Sequence, residues 1–392
     1  MPRYIRIALK ITGLITLFII VIWIGGAIYI TTNKDAVLKS VLTQLNQNLK
    51  GKVSIGSMEP ALFKSFPGVS VTLNKVLLRD SLWISHEKDL LNANQVSVSL
   101  NIFNLITGKT SINKILIKDA KVCLFTDPTG YSNTSIFRKK TNGSQGDGSA
   151  SKLEIKNVDF DNVHFIVDNQ LKHKLFDFMI NKVRGKVKYT SDGSNGSFKI
   201  NTLVNSFSFN TSRGSFLKDK MLDGTLDFKY DRSKELFTIE PNKLMIGSYA
   251  FNIGAKIELD KAAFEIDIAT EKILFKDVAL LLAPNISSKL LRFTIDEPIA
   301  VKGKITETGK EKNIDPLINV AIKVKKSIVN IPSGRLVNAT FDGAFTNQTL
   351  KHKANPDSLG YLFRLTTITR NINNPNDIYC KLKLVNDGLQ SI

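Results

Sequence analysis

The chain runs to 392 residues and carries 54 Lys and Arg against 35 Asp and Glu, a formal charge of +19. Its apolar share of 43% is that of a chain able to bury a core, which excludes wholesale disorder. The charge favours anionic partners such as phospholipid headgroups, lipopolysaccharide or nucleic acid. No recognisable nucleic-acid reader accompanies it, so nucleic acid is set aside. The two cysteines, Cys123 and Cys380, sit in separate apolar runs and read as buried thiols, not as a disulfide.

Residues Ile11 to Ile30 contain no charge. That is about the length that crosses a hydrocarbon core of ~30 Å. Arg3, Arg6 and Lys10 precede the run. By the positive-inside rule the N-terminus stays in the cytoplasm, and everything after Ile30 is translocated. Trp23 and Tyr29 fall toward the outer half, where Tyr29 suits the interface. A cleaved signal peptide is the rival reading. The run is long for one, and Gly25-Gly26-Ala27 makes a poor cleavage site.

The spacing predicts a short amphipathic helix over 33–50. Asn33 stands at its cap, and Val37, Val41, Leu45 and Leu49 form one stripe. Gly51 supplies the stop. From Lys52 onward the pattern has period two, the signature of a strand with one apolar face. Val69, Val71 and Leu73 alternate with polar residues, as do Val96, Val98 and Leu100. Phe207 with Phe209, Tyr249 to Leu259, Phe264 to Ile268, and Ile299, Val301 and Ile305 continue the theme. Asp127-Pro128, Asp192-Gly193 and Asp223-Gly224 read as turns. The Gly/Ser-rich stretch 141–151 reads as a flexible loop, and 275–283, ending before Pro284, as a short helix. The fold class is therefore mainly β, an antiparallel meander behind an N-terminal transmembrane helix. Lys182, Arg184, Lys186 and Lys188 read as a solvated sheet face.

No catalytic constellation is visible. His86, His164, His173 and His352 are scattered, so no metal site is expected. There is no G-x-S-x-G elbow and no phosphate-cradling glycine loop at a strand–helix junction. Asp159 and Asp161 share a strand face and read as solvated carboxylates, not an acid–base pair. No catalytic residue, cofactor or metal is assigned.

The ordered set of motifs after the anchor resembles the N-terminal region of the AsmA family of bacterial envelope proteins. It comprises Gly51-Lys52-Val53-Ser54-Ile55, then Phe66-Pro67-Gly68-Val69-Ser70-Val71, then Val76-Leu77-Leu78-Arg79-Asp80. Ala93 to Leu105 runs into Ile106-Thr107-Gly108-Lys109, and Ile112, Ile115 and Ile117 lead to Ala120-Lys121-Val122. Asp127 to Gly130 and Asn133 close the block, which covers roughly 52–140. Ile331 to Leu336, Asn338 and Phe341 to Phe345 resemble a later element of long AsmA-like proteins of the Bacteroidota kind. The region 152–392 then continues the same architecture. It stops soon after Lys381 to Leu389 in a strand-like pattern, which reads as a short paralogue or a truncated reading frame.

The resemblance implies a sheet curled into a taco-like groove, related to bridge-like lipid-transfer proteins. It implies an inner-membrane, single-pass, periplasmic protein of the cell envelope. Such a protein would bind or transfer phospholipid, or lipopolysaccharide, between inner and outer membrane in outer-membrane biogenesis. Alternation alone favours a closed β-sandwich, and the resemblance reverses that preference. Three functions stand side by side. One is a lipid carrier. Another is an envelope scaffold or regulator of outer-membrane protein assembly and protein targeting to membrane, working with an envelope protein partner. The third, and weakest, is an enzyme. The lipid-facing candidates are Val96, Val98, Leu100, Ile115, Ile117, Val122 and Leu124.

Overall fold

The structure, a computed structural model, describes residues 49–61, 69–100, 111–137, 154–261, 263–307, 316–332, 334–346, 362–364 and 383–385, together with 38, 39, 42, 43 and 46. The expected membrane span, with Arg3, Arg6, Lys10, Ile11, Trp23, Tyr29 and Ile30, lies outside the described residues. So do the loop 141–151 and Cys380. Among the described residues no helix is long and apolar enough to cross a membrane. Of the expected helix over 33–50, Leu38, Lys39, Leu42, Thr43 and Asn46 are described and helical, while Leu49 and Lys50 form a bend.

The chain is mainly β, with open sheets and few helices, as its alternation predicts. It divides into two compact units. The first comprises Met1–Val122 and Asn133–Asp159, the second Cys123–Ser132 and Phe160–Ile392.

In the first unit, β1 (Gly51–Ser54) and β2 (Ser57–Ala61) both pair with β3 (Val69–Asp80). A single helical turn, α1 (Trp83–His86), leads from β3 to β4 (Leu91–Leu100). β4 then pairs with β5 (Ser111–Thr126). All these pairings are antiparallel. The core gathers Val53, Ile55, Met58, Val76, Ala93 and Ile136. The helix that precedes β1 is tied to it by Asn46, whose side chain accepts from Val53 N at 2.6 Å and donates to Val53 O at 3.1 Å. Gly51, expected as a helix stop, has a second duty as the first residue of β1. A Cβ there would lie 2.3 Å from the Arg79 carbonyl and 2.6 Å from Ile136 Cδ1.

β6 (Glu154–Asn169) does not follow the meander. In the first unit Asn157 Nδ2 donates to Asn113 O at 2.7 Å, and Lys114 Nζ lies 2.6 Å from Asp159 Oδ2. In the second unit Gln170 N donates to Thr126 O at 2.9 Å. These contacts advance along both strands together, so β5 and β6 run parallel. A parallel neighbour needs a long crossover. The stretch 127–153, with its 3-10 turn Asn133–Phe137, provides that length.

The second unit continues with β7 (Lys174–Tyr189), β8 (Gly193–Ser208), β9 (Lys220–Asp231), β10 (Leu236–Ile246), β11 (Tyr249–Glu258) and β12 (Ala263–Ile273). After α2 (Phe275–Ala279) and α3 (Pro284–Leu290) come β13 (Thr294–Ile295), β14 (Ile299–Glu307), β15 (Leu317–Ile331) and β16 (Gly334–Thr346). Each of these strands from β7 to β16 that pairs with its neighbour does so antiparallel. The stretch 275–283 expected as one helix is thus the start of a pair. Pro284 does not close the first helix but opens the second, at a position where its missing N–H costs nothing. Asp223-Gly224, expected as a turn, lies inside β9. There Gly224 has φ 154° and lets Leu244 approach to where a Cβ would be 2.9 Å away. A glycine in a strand often marks such close cross-strand packing.

The second unit folds over onto itself. Phe209, just after β8, stacks on Phe264 of β12 with centroids 5.5 Å apart. Lys174 at the start of β7 pairs with Glu307 at the end of β14 at 2.5 Å. A core cluster fills the fold between these contacts. Phe209, Phe251, Phe275, Ile286, Ile299 and Phe341 are among its buried residues.

Candidate functional site: an apolar cavity under a helix pair

The core of the second unit is incompletely filled. A cavity of ≈ 110 Å³ remains inside it, walled wholly by apolar surface. The sheet supplies Phe207 from β8, Ile246 from β10, Phe251 from β11 and Ile268 from β12. β14 and β15 add Val301, Ile305, Ile318, Val320 and Ile322. Phe275 and Val278 of α2, Leu290 of α3 and the linking Leu281 and Leu282 cover it. The alternation explains this wall, because residues two apart on each strand face the same side.

Gly303 stands in that alternation where Val301 and Ile305 would call for a third apolar side chain. A Cβ built there would have its nearest neighbours, Ile268 O and Val320 Cγ2, at 3.9 Å. The backbone needs no glycine at this position, and its missing side chain contributes directly to the void.

The cover is held from both sides: Leu217 N donates to Leu281 O at 2.8 Å. Tyr249 Oη donates a short hydrogen bond to Asp277 Oδ2, joining β11 to α2. That bond to the carboxylate raises the phenol above its ordinary 10.0. On β12 and β14, Lys304 Nζ lies 2.9 Å from Glu265 Oε1. Hydrogen bonding between them pulls Glu265 below its usual range and pushes Lys304 up. Lys182, Lys186 and Lys188 are exposed, in keeping with a solvated face.

Of the residues expected to face lipid, Val96, Val98, Leu100, Ile115, Ile117 and Val122 lie in the first unit and Leu124 in the second, and none of them lines the cavity. Four of them come together. Val96 pairs with Leu73 and Ile117, and Val98 with Val71 and Ile115, so one apolar row crosses three strands. Between those positions, Ser70 meets Ser99 at 2.6 Å and Thr72 meets Ser97 at 3.1 Å. Leu100 pairs with Val69 and Ile112 in the backbone register. Val122 instead pairs with Leu91. Val122 and Leu124 are out of step with Ile115 and Ile117, and between the two sets Asp119 takes φ 49°. Val96 is buried, while Val98, Ile115, Ile117, Val122 and Leu124 are half-buried.

Two carboxylates depart from expectation. Asp159 is 4% exposed and paired with Lys114, and Asp161 pairs with Arg184 at 2.5 Å. Each has its own cation, which relieves the repulsion expected of two solvated carboxylates. His86 and His164 pair with Asp80 and Asp177, at 3.0 Å and 2.9 Å. Among the described residues, no three His, Cys, Asp or Glu side chains are grouped to hold a metal ion. Cys123 is buried in β5 at 4% exposure.

The cavity was missed because its wall is contributed by strands more than a hundred residues apart. The local signal was the glycine interrupting Val301–Ile305. Comparison with family models, curated proteins and solved structures finds no match.

Proposed function

We propose that this chain is an AsmA-like, membrane-anchored periplasmic protein that binds the apolar tail of a phospholipid and passes it between inner and outer membrane. The observation that carries this reading is the ≈ 110 Å³ cavity whose wall presents no polar group. An apolar void of about 150 Å³ stays dry and accepts benzene-sized guests. Small-molecule pockets usually span ~300–1,000 Å³. The cavity therefore takes the end of one acyl chain and not a whole diacyl lipid. The rest of the lipid would lie outside this cavity, in a groove of the taco-like kind. Each methylene removed from water contributes ~0.8 kcal/mol, so no specific polar site is required. The ordered motifs from Gly51 to Asn133 and the uncharged run before them support the same reading.

The second reading, an envelope scaffold that carries no lipid, is favoured by the small size of the void and by the helix pair over it. Gly303→Val separates the two. It adds a β-branched side chain that suits a strand and fills the void. Lipid extracted with the full chain is quantified by mass spectrometry for both forms, so lipid held by the anchor cancels. The carrier reading expects Gly303→Val to lose phospholipid relative to the unmodified chain. Equal lipid in the two would leave the scaffold.

A further inference from the structure

We propose that the tip joining β3 to β4, formed by Leu82, Trp83 and Ile84, inserts into the headgroup layer of an anionic phospholipid bilayer. Ile84 is 84% exposed and Leu82 47%, adjacent to a tryptophan. Single exposed apolar residues are ordinary. This group differs in that hydrogen bonds and ion pairs brace the turn that carries it. Asp80 accepts from Leu82 N at 3.1 Å and pairs with His86 at 3.0 Å. Arg79 lies 3.7 Å over the Trp83 ring and pairs with Asp89 at 2.6 Å. Glu87 closes the turn in a left-handed conformation, φ 53°. The tip is thus braced with its apolar side chains in water.

The surroundings indicate what covers it. Leu49, Lys50 and Lys52 border the same hollow as Trp83 and Ile84. Lys52 and Lys88 are exposed. Of the nearby acids, Asp80 and Asp89 are engaged with His86 and Arg79, and Glu87 is exposed. The lysines, with a chain charge of +19, suit an anionic surface. The uncharged run ends at Ile30, about 20 residues before Leu49, a span of at most ~65 Å even fully extended. The tip therefore stays within one tether of the bilayer. Apolar side chains beside basic ones are the composition of segments that settle at a lipid interface. The inference rests on the anchor, not on the cavity's occupant.

The test uses the full chain with Cys380→Ser, leaving buried Cys123 in place. A nitroxide is attached at Ile84→Cys, or at Lys156→Cys as an exposed control. The chain is reconstituted into phosphatidylglycerol–phosphatidylethanolamine vesicles, and spin-label accessibility to oxygen and to a water-soluble nickel complex is measured. The expected result is a shift toward oxygen at Ile84→Cys and none at Lys156→Cys. A label placed at Leu82→Cys is expected to lose that shift when Ile84→Glu is added. A chain that floats with vesicles while both labels stay equally open to nickel would overturn the tip. A chain that does not float would overturn the anchor with it. Undiminished immersion in pure phosphatidylcholine would overturn the requirement for anionic lipid.

Discussion

Lys174 and Glu307 form an ion pair between the start of β7 and the end of β14, across 133 positions of sequence. Their side chains are only 14% and 12% exposed. The pair therefore fastens the fold of the second unit at the rim of its core, and it does so where solvent screening is weak. Glu307→Ala leaves the ammonium in a part-buried site without its partner. It should cost about 1–3 kcal/mol. Chemical denaturation of the single variants and the double variant checks this. The double variant should recover part of the loss.

Tyr249 gives a pH signature to the helix cover. Its phenol is held above 10.0, first by the hydrogen bond to Asp277. The neutral form is the one favoured in the fold, so the contribution is fully present below the ordinary phenol range. It is lost as pH rises through the raised value. Ultraviolet titration should show one tyrosine ionising later than the rest, and Tyr249→Phe should remove it. On the carrier reading, Tyr249→Phe should also speed exchange of lipid from the cavity by loosening α2 over it.

Gly196 should tolerate no side chain. A Cβ there would lie 1.9 Å from the Lys186 carbonyl and 2.9 Å from Phe228 Cε1. Phe228 covers this glycine while stacking on Phe198 and Phe237 at 5.0 Å and 5.3 Å. Gly196→Ala forces the strands apart and should cost about 1–3 kcal/mol. Gly303→Ala, by contrast, meets its nearest neighbours only at ordinary van der Waals distance, 3.9 Å, and should leave the midpoint of unfolding unchanged or raise it.

The row through Val98 gives a test of the first unit. Val98→Asn places an amide between Val71 and Ile115. If lipid travels along this row, transfer between vesicles should fall while the unfolding midpoint moves little. An unchanged rate would remove the row from the path.

Acid should loosen the turn after β5 late. Asp127 accepts from Thr129 Oγ1 at 2.7 Å and from the amides of Thr129 and Tyr131. These bonds, that from the Thr129 hydroxyl first, hold its carboxyl below 3.8. A lowered carboxyl contributes above its ordinary range and is lost as pH falls through the depressed value. Amide exchange at Thr129 and Tyr131 should therefore stay slow until the pH drops below the usual aspartate range. Asp127→Asn should abolish that dependence.

Much of the fold was legible because period two is local. Val96 and Val98 declare their shared face within one strand, and the registers with Ile115 and Ile117 follow from neighbouring hairpins. The parallel step from β5 to β6 was not legible, since nothing in either strand's composition records its neighbour's direction. Pro284 was ambiguous for a local reason: a proline ends one helix and begins another equally well. Asp159 and Asp161 were misread because their partners, Lys114 and Arg184, come from other strands. The cavity was hidden for the same reason, its walls meeting only when β8 and β15 are brought onto one core. Gly303 was visible as an interruption, but only the packed neighbours show that it leaves space.

The most direct test is to find where an acyl chain touches the protein. The full chain is loaded with a phospholipid bearing a photoactivatable diazirine near the end of one tail, irradiated, digested and mapped by mass spectrometry. The carrier reading expects adducts on peptides containing Phe207, Ile268 and Val320, and their loss in Gly303→Val. Adducts confined to the peptide spanning 11–30, with none from the second unit, would contradict it.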